Sequence, residues 1–398
     1  MQTAVSEAPR GSLLYDPKVR ATFYQAALVA IVTFLVYEAA TNAIENLRRA
    51  RIASGFGFWN VASGFDISQT LIRYSASGST YGEAFYVGLL NTIIVAAIGI
   101  VFATIVGFVM GVARLSKNWM VSSLATAYVE LIRNIPLLLQ LFFWYYAVLG
   151  SLPQPRESVN VGGLFFVNTR GLAMPRPILA PDASLLPIVL GLGIVGSIAF
   201  RVWAKRQQQV TGRQYPVIWT ALGLVLALPA LVWIVLALIG ANPISFEVPE
   251  QSRFNLRGGM QLLPEFVALL VGLTIYTGAF IAEVVRAGIL AVSKGQTEAA
   301  SSLGLRPGLT LRLVVVPQAM RVIVPPLTSQ YLNLTKNSSL AVAIGYPDLA
   351  QVFMGTVLNQ TGQALEVIAI TMAVYLAISL VTSSLMNIYN RRVAIVER

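Results

Sequence analysis

Residues 84–113 are 30 consecutive positions without a charge. A helix needs only about 20 apolar residues to cross the hydrocarbon core of a bilayer. That run therefore constrains the whole chain: it must fold within and around lipid. Further predominantly apolar runs lie at 21–37, 134–155, 183–200, 216–239, 266–282 (continuing to 289), 322–344 and 367–390. Together they predict an all-α, polytopic membrane protein of about eight transmembrane helices. Composition agrees, since 11% of residues are charged against about 25% in soluble domains.

The absences narrow the chemistry. Without cysteine there is no disulfide, thiol nucleophile or iron–sulfur site, and without histidine the commonest metal ligand and general base are gone. No Gly-Lys dipeptide occurs, so there is no Walker A phosphate loop. Net charge is +11, yet it does not point to nucleic acid. The basic residues sit mostly in short segments between apolar runs, which is the positive-inside pattern. With both termini inside, the inner segments carry 17 of the 28 Lys and Arg and the outer ones nine, with Arg133 and Lys336 in or beside spans. That asymmetry selects the orientation. Arg48, Arg49, Arg51 and Arg73 then lie outside, in a long segment of the kind that obeys the rule weakly. A cleaved signal peptide at 21–37 is the alternative to a first span, but no clean small-residue cleavage site follows it.

Several local expectations follow. An amphipathic interfacial segment is expected around 56–67. Gly107 and Gly111 form a small-xxx-small pair that lets another helix approach. Residues 119–133 read as an interfacial turn leading into the third span, with Glu130 and Arg133 paired at i, i+3. The Pro- and Gly-rich stretch 151–183 reads as an irregular outer loop with a short hairpin at 162–169. Glu283 and Arg286 form a second i, i+3 pair near the inner end of a span. The run at 322–344 holds Pro325, Pro326, Asn333, Lys336, Asn337, Ser338 and Ser339. Such a helix cannot face lipid all round, so its polar set faces protein or a water-filled path. A lysine there points to a pathway more than to helix–helix hydrogen bonding.

Residues 293–317 are polar, basic and confined between two spans. Ser293 and Gln296 have the spacing of a capping box. Gly304 suits a left-handed helix end and Pro307 a helix start. The stretch reads as helix, tight turn, helix on the inner face. From these residues alone it is either a docking knob or an ordinary loop. No internal repeat is evident, which weighs against a self-contained secondary transporter built of two halves.

The motifs carry a resemblance. Glu298-Ala299-Ala300, Gly304, Val314 and Val316-Pro317 resemble the EAA loop of bacterial ABC importer permeases, with Val at positions where the family has Ile and Leu. Residues 282–289 (AEVVRAGI), 334–340 (LTKNSSL) and 128–138 (YVELIRNIPLL) resemble segments of the polar amino-acid permeases, in the same order. The extra N-terminal span and an insertion at about 151–259 resemble the general L-amino-acid permease subgroup. The resemblance implies a type I ABC importer permease fold, arranged as an N-terminal span and external arm (1–83), a first core part (84–150), the insertion (151–259) and a second core part (260–398) that includes the coupling loop.

It also implies partners: a second related permease chain, two ATP-binding subunits on the cytoplasmic face and a periplasmic amino-acid-binding protein. The chain would hold no cofactor, and ATP would be used by the ATPase subunits. The location implied is the inner membrane, with both termini cytoplasmic. Coupling falls to Gln296, Glu298, Ala299, Ala300, Gly304 and Pro317, with Ala300 keeping the contact face small. The substrate path falls to Asn333, Lys336, Asn337, Ser338 and Ser339, with Glu283 and Arg286 less favoured. The rival classes are an ATPase-independent secondary transporter or channel, which needs a carboxylate relay in the spans, and a non-transporting scaffold.

Overall fold

The computed structural model describes residues 17–49, 54–180, 185–241, 244–252 and 255–393. Arg10 and Arg398 of the inside tally, Arg51 of the outer arginines and Pro181 of the loop lie outside the described residues. Seven helices among the described residues are long and apolar enough to cross a membrane, or eight if one bent pair counts as a single span. The expected helical, polytopic architecture therefore stands.

The chain divides into two compact units. The first comprises residues 1–94, 331–342 and 347–398. Helix α1 (Pro17–Arg49) opens it and has no buried residue in its apolar window. Helix α2 (Tyr81–Ala113) begins here and continues into the second unit. The 56–67 segment does not lie free at an interface as expected. It makes a tight turn, Gly57–Asn60, and buries Phe58 and Ile67 against Tyr81, Phe85 and Phe353. Apolar burial against protein prevails here over amphipathic contact with lipid. Gly82 admits the Trp59 indole, where a Cβ would stand 2.5 Å from its Nε1.

The second unit spans residues 95–330 and 343–346. Helix α3 (Trp119–Asn134) is capped by Asn118, whose Oδ1 accepts from Met120 N–H at 3.0 Å. It ends before Pro136 because the residue preceding a proline disfavours helical backbone. Helix α4 (Leu137–Phe142) then sets off at 108° and continues through a π-helical stretch, Phe143–Val148. Gln140 fastens this corner, donating to the carbonyls of Ile132 and Ile135 at 2.8 and 2.9 Å.

The loop that follows holds more β structure than the hairpin expected. Strands β1 (Val159–Val161), β2 (Phe165–Asn168) and β3 (Gly171–Met174) form antiparallel pairs, and β4 (Arg176–Leu179) follows. The chain then forms helices α5 (Leu185–Thr211), α6 (Val217–Leu222) and α7 (Leu228–Leu238), with a π-helical link between the last two. It returns through β5 (Ile244–Glu247), β6 (Glu250–Gln251), β7 (Leu256–Arg257) and β8 (Met260–Leu262). β8 joins β3, giving the sheet order β1-β2-β3-β8, and β4 pairs with β5.

Helix α8 (Pro264–Leu290) is the most buried span of this unit. Glycines set its approach to α2, as the small-residue spacing predicts. A Cβ on Gly107 would sit 2.4 Å from the Ile281 side chain, and one on Gly111 would sit 2.7 Å from the Ala282 carbonyl oxygen. After α9 (Lys294–Ser302) and α10 (Pro307–Thr310), helix α11 (Val316–Asn337) runs through Pro325 and Pro326 without ending. A 3-10 segment, Ser338–Ile344, a π-helical stretch, Ala350–Val357, and the short α12 (Leu358–Thr361) lead to α13 (Ala364–Val393).

Candidate functional site: a coupling knob, a charge cluster and a polar helix end

The knob is built from its own backbone. Ser293 takes an extended N-cap conformation, but its hydroxyl makes no capping bond. The predicted capping box does not form. Gln296 N–H bonds the Ser293 carbonyl at 3.0 Å, and its side chain turns instead to Gln318 of α11, whose Nε2 donates to Gln296 Oε1 at 3.2 Å. A cross-link between two helices replaces a local cap.

The far end of α9 matches expectation. Gly304 has φ of +75°. Its N–H reaches the Ser301 carbonyl at 2.9 Å, and Leu305 N–H reaches that of Ala300 at 3.1 Å. These two bonds make a Schellman motif, which ends the helix and satisfies its last carbonyls. Pro307 starts α10, as its fixed φ suits the first helical position. Leu311–Val315 winds as a π-helical turn into α11.

Ala300, Thr310 and Val315 are buried within this knob. The sequence reading puts Ala300 on the contact face, but it is buried instead. Its small size serves the packing of α9 onto the turn that follows. Gln296, Glu298, Ala299, Gly304 and Pro317 are exposed. Among the described residues, no cation lies within ion-pairing distance of Glu298. Leu303 is 82% exposed, an apolar side chain at the tip beside Glu298's helix turn. Sequence reasoning passed over it, although its place just before the terminating glycine was the available signal.

The charge cluster joins α2, α3 and α8. Arg286 holds Glu283 with two donors, Nη2 at 2.6 Å and Nε at 3.1 Å. Arg114 bonds the same carboxylate and reaches Glu130 at 3.4 Å. The Arg114 side chain is 9% exposed, so its charge depends on these partners. The i, i+3 pairing of Glu283 with Arg286 is as expected, but that of Glu130 with Arg133 is not found. Arg133 lies over the Phe280 ring at 5.1 Å, a cation–π contact that leaves Glu130 to Arg114. Glu283 and Arg286 thus sit in an ion-pair network at the ends of three helices.

The polar end of α11 belongs to the first unit. Asn333 and Lys336 are exposed and Asn337 is half-buried. No carboxylate pairs with Lys336 among the described residues. Ser338 and Ser339 spend their hydroxyls on the Thr335 and Lys336 carbonyls, each at 2.7 Å. They close the α-helix as it tightens into the 3-10 segment. Asn333 and Lys336 are left as the side chains open to another molecule.

A further acidic residue is buried. Asp348 is fully enclosed. Its Oδ1 accepts from Gln351 N–H at 2.8 Å, and its Oδ2 accepts from the Tyr375 hydroxyl at 2.9 Å. Burial pushes its carboxyl up to about 6. Thr92 and Asn91 of α2 hold the same turn, accepting from Leu349 N–H at 3.0 Å and donating to the Pro347 carbonyl at 2.8 Å.

Comparison with known proteins adds to this geometry. A family described as binding-protein-dependent transport system inner membrane component matches residues 103–395. The general L-amino acid transport system permease protein AapQ of Rhizobium johnstonii is 51% identical over 387 residues, covering 97% of this chain and 95% of that protein. The putative amino-acid ABC transporter permease protein YhdX of Escherichia coli K12 is 52% identical over 394 residues, 98% of each. A crystal structure of an amino acid ABC transporter with histidines aligns with a TM-score of 0.47 and 21% identity, over 78% of this chain and 95% of that chain.

Proposed function

The chain belongs to the family of binding-protein-dependent transport system inner membrane components, and from that premise we propose how it works. It is a membrane-spanning permease subunit of an amino-acid ABC transporter. In our reading it imports polar amino acids, or a broad range of L-amino acids, across the bacterial inner membrane by alternating access. The multi-pass helical architecture fits that membrane, and the charge asymmetry of the sequence supports cytoplasmic termini.

The observation that carries the mechanism is the knob at 293–317. It is stiffened by a Schellman turn and by the Gln296–Gln318 clasp, and it presents Glu298, Ala299 and Leu303 outward. A rigid body of this kind can transmit a push, where a soft loop would absorb it. The chain contains no phosphate loop, so energy reaches it from partner ATPase subunits that use ATP. Glu298 is free to pair with a cation of that partner and Leu303 to fill an apolar recess. The Arg114–Glu130–Glu283–Arg286 cluster, whose Glu283 and Arg286 stand on α8 just before the knob, then ties α2, α3 and α8 into the same movement. A second, related permease chain completes the pathway, and a periplasmic binding protein delivers the substrate.

The amino acid is a zwitterion, and its charges need partners in a low-dielectric path. Lys336 and Asn333 offer a cation and an amide for the carboxylate end. Glu283 and Arg286 satisfy each other and fit coupling better than substrate binding. The same pairing weakens the proton-relay alternative, since it holds the Glu283 carboxylate on two donors of Arg286.

The deciding experiment is uptake of labelled amino acids into vesicles holding the whole transporter, with and without ATP. Glu298→Lys should insert and assemble normally but lose ATP-driven uptake. Full uptake by that variant would remove the knob from the coupling path.

A further inference from the structure

We propose that the helical hairpin of the insertion holds an anionic phospholipid, with its headgroup between Arg201 and Lys205. The sequence supplies the first reason. From 183 to 246 there is no acidic residue, while Arg201, Lys205, Arg206 and Arg213 cluster near the C-terminal end of α5. None of these four has an ion-pair partner among the described residues.

The packing supplies the second. Helix α5 touches its neighbour closely at one level, where a Cβ on Gly193 would stand 2.2 Å from the Leu224 carbonyl oxygen. From that point toward Arg201 the two helices flank an open groove of about 1000 Å³. Ser197, Arg201, Lys205 and Gln208 line it at intervals of four and three, so both cations belong to the one stripe of α5 that lines the groove. Its opposite wall is apolar, with Ile218, Ala221 and Leu222. Tyr215 closes the end near the turn, held by Trp203 at 4.9 Å between ring centroids.

The groove is therefore amphipathic along its length: hydrocarbon-like toward Gly193, basic and hydrogen-bonding toward Tyr215. An acyl chain with a phosphate head has that polarity. Basic pockets between helices on the inner side are where anionic headgroups gather. The other end of the same helix pair gives the contrast. There a smaller hollow, about 440 Å³, is lined by Leu186, Pro187, Leu190, Pro229, Ala230 and Trp233 with Ile244, and it carries no charge. It offers nothing to a headgroup.

The purified transporter, in mild detergent, is titrated with phosphatidylglycerol, phosphatidylcholine and free glycerol phosphate, and bound lipid is read by native mass spectrometry. Phosphatidylglycerol should bind, phosphatidylcholine should bind far more weakly, and glycerol phosphate should not displace the lipid. Each cation is worth about fivefold in affinity, so R201Q/K205Q should weaken phosphatidylglycerol by about 25-fold. R206Q/R213Q removes the same charge from positions outside the lining and should change affinity by less than about fivefold. Ala221→Trp keeps both cations and fills the acyl space, so it should also abolish retention; it decides the matter if the charge variant fails to assemble. The proposal falls if both charge pairs weaken binding equally, if the two lipids bind alike, if glycerol phosphate displaces the lipid, or if Ala221→Trp retains it. None of these readouts depends on transport.

Discussion

The Leu305 amide donates to the Ala300 carbonyl at 3.1 Å, closing the chain around Gly304 in its left-handed conformation. Apart from its own residue and its two chain neighbours, no heavy atom lies within 4 Å of where a Gly304 Cβ would stand. Substitution there is therefore a conformational matter and not a steric one. Gly304→Ala should cost about 1–2 kcal/mol locally, the penalty of a left-handed residue with a side chain. We expect faster amide exchange across residues 299–306 and reduced ATP-driven uptake, with insertion unchanged. Exchange mass spectrometry on the assembled transporter checks the first and vesicle uptake the second.

Glu283 and Glu130 both contact Arg114, but they differ in exposure. The Glu283 side chain is 27% exposed and that of Glu130 57%, while the Arg114 side chain they share is 9% exposed. Glu283→Ala strands a buried cation and should cost about 2–3 kcal/mol, somewhat below the loss for a fully enclosed pair. Glu130→Ala should cost under about 1 kcal/mol. Thermal unfolding of the purified complex ranks the two, and equal losses would mean that Arg114 does not rely on Glu283.

Asp348 makes stability pH-dependent with a definite sign. Its folded carboxyl titrates at about 6, above the unfolded value of about 3.9. Between those values the folded state binds the extra proton, so stability falls as pH rises through about 6 and is fullest below about 4. Asp348→Asn keeps an oxygen for Gln351 N–H and does not titrate. The difference in melting temperature between wild type and Asp348→Asn should therefore vary across pH 4–7 and level off above it. A flat difference would place the carboxylate in a charged state throughout.

Lys336 and Ser338 are close in sequence yet should behave differently. Ser338 is buried and bonded to the Thr335 carbonyl, whereas Lys336 is exposed without a carboxylate partner among the described residues. Lys336→Ala should lower uptake more than it lowers the yield of assembled transporter. Ser338→Ala should affect folding first. Parallel measurement of uptake and assembled yield distinguishes them, and proportional losses for Lys336→Ala would return the lysine to a structural role.

The spans, the glycine contacts and the terminating turn of the knob were legible because each depends on local pattern. An uncharged run of 30 residues has one economical fate, and Gly304 before Pro307 signals its turn within four residues. What failed depended on distant partners. Arg133 has Glu130 one turn away but sits on Phe280, 147 positions later in the chain. Ser293 has the capping spacing, yet Gln296 finds Gln318. Asp348 follows Gly345 and Pro347 in a stretch that reads as the start of an outer turn, and only Thr92, Asn91 and Tyr375 reveal its enclosure.

Strand β3 ends at Met174, and Met260 of β8 lies directly opposite it. The chain leaves the sheet at one of these residues and re-enters at the other, having built an entire helical hairpin between them. Departure and return are thus neighbours, and the intervening stretch is an excursion from a continuous scaffold. A two-residue Asn-Gly link can join antiparallel strands at that distance, so residues 175–259 could be excised and β3 spliced to β8 without moving α4 or α8. In that sense the large chain contains a smaller one, with the join already aligned.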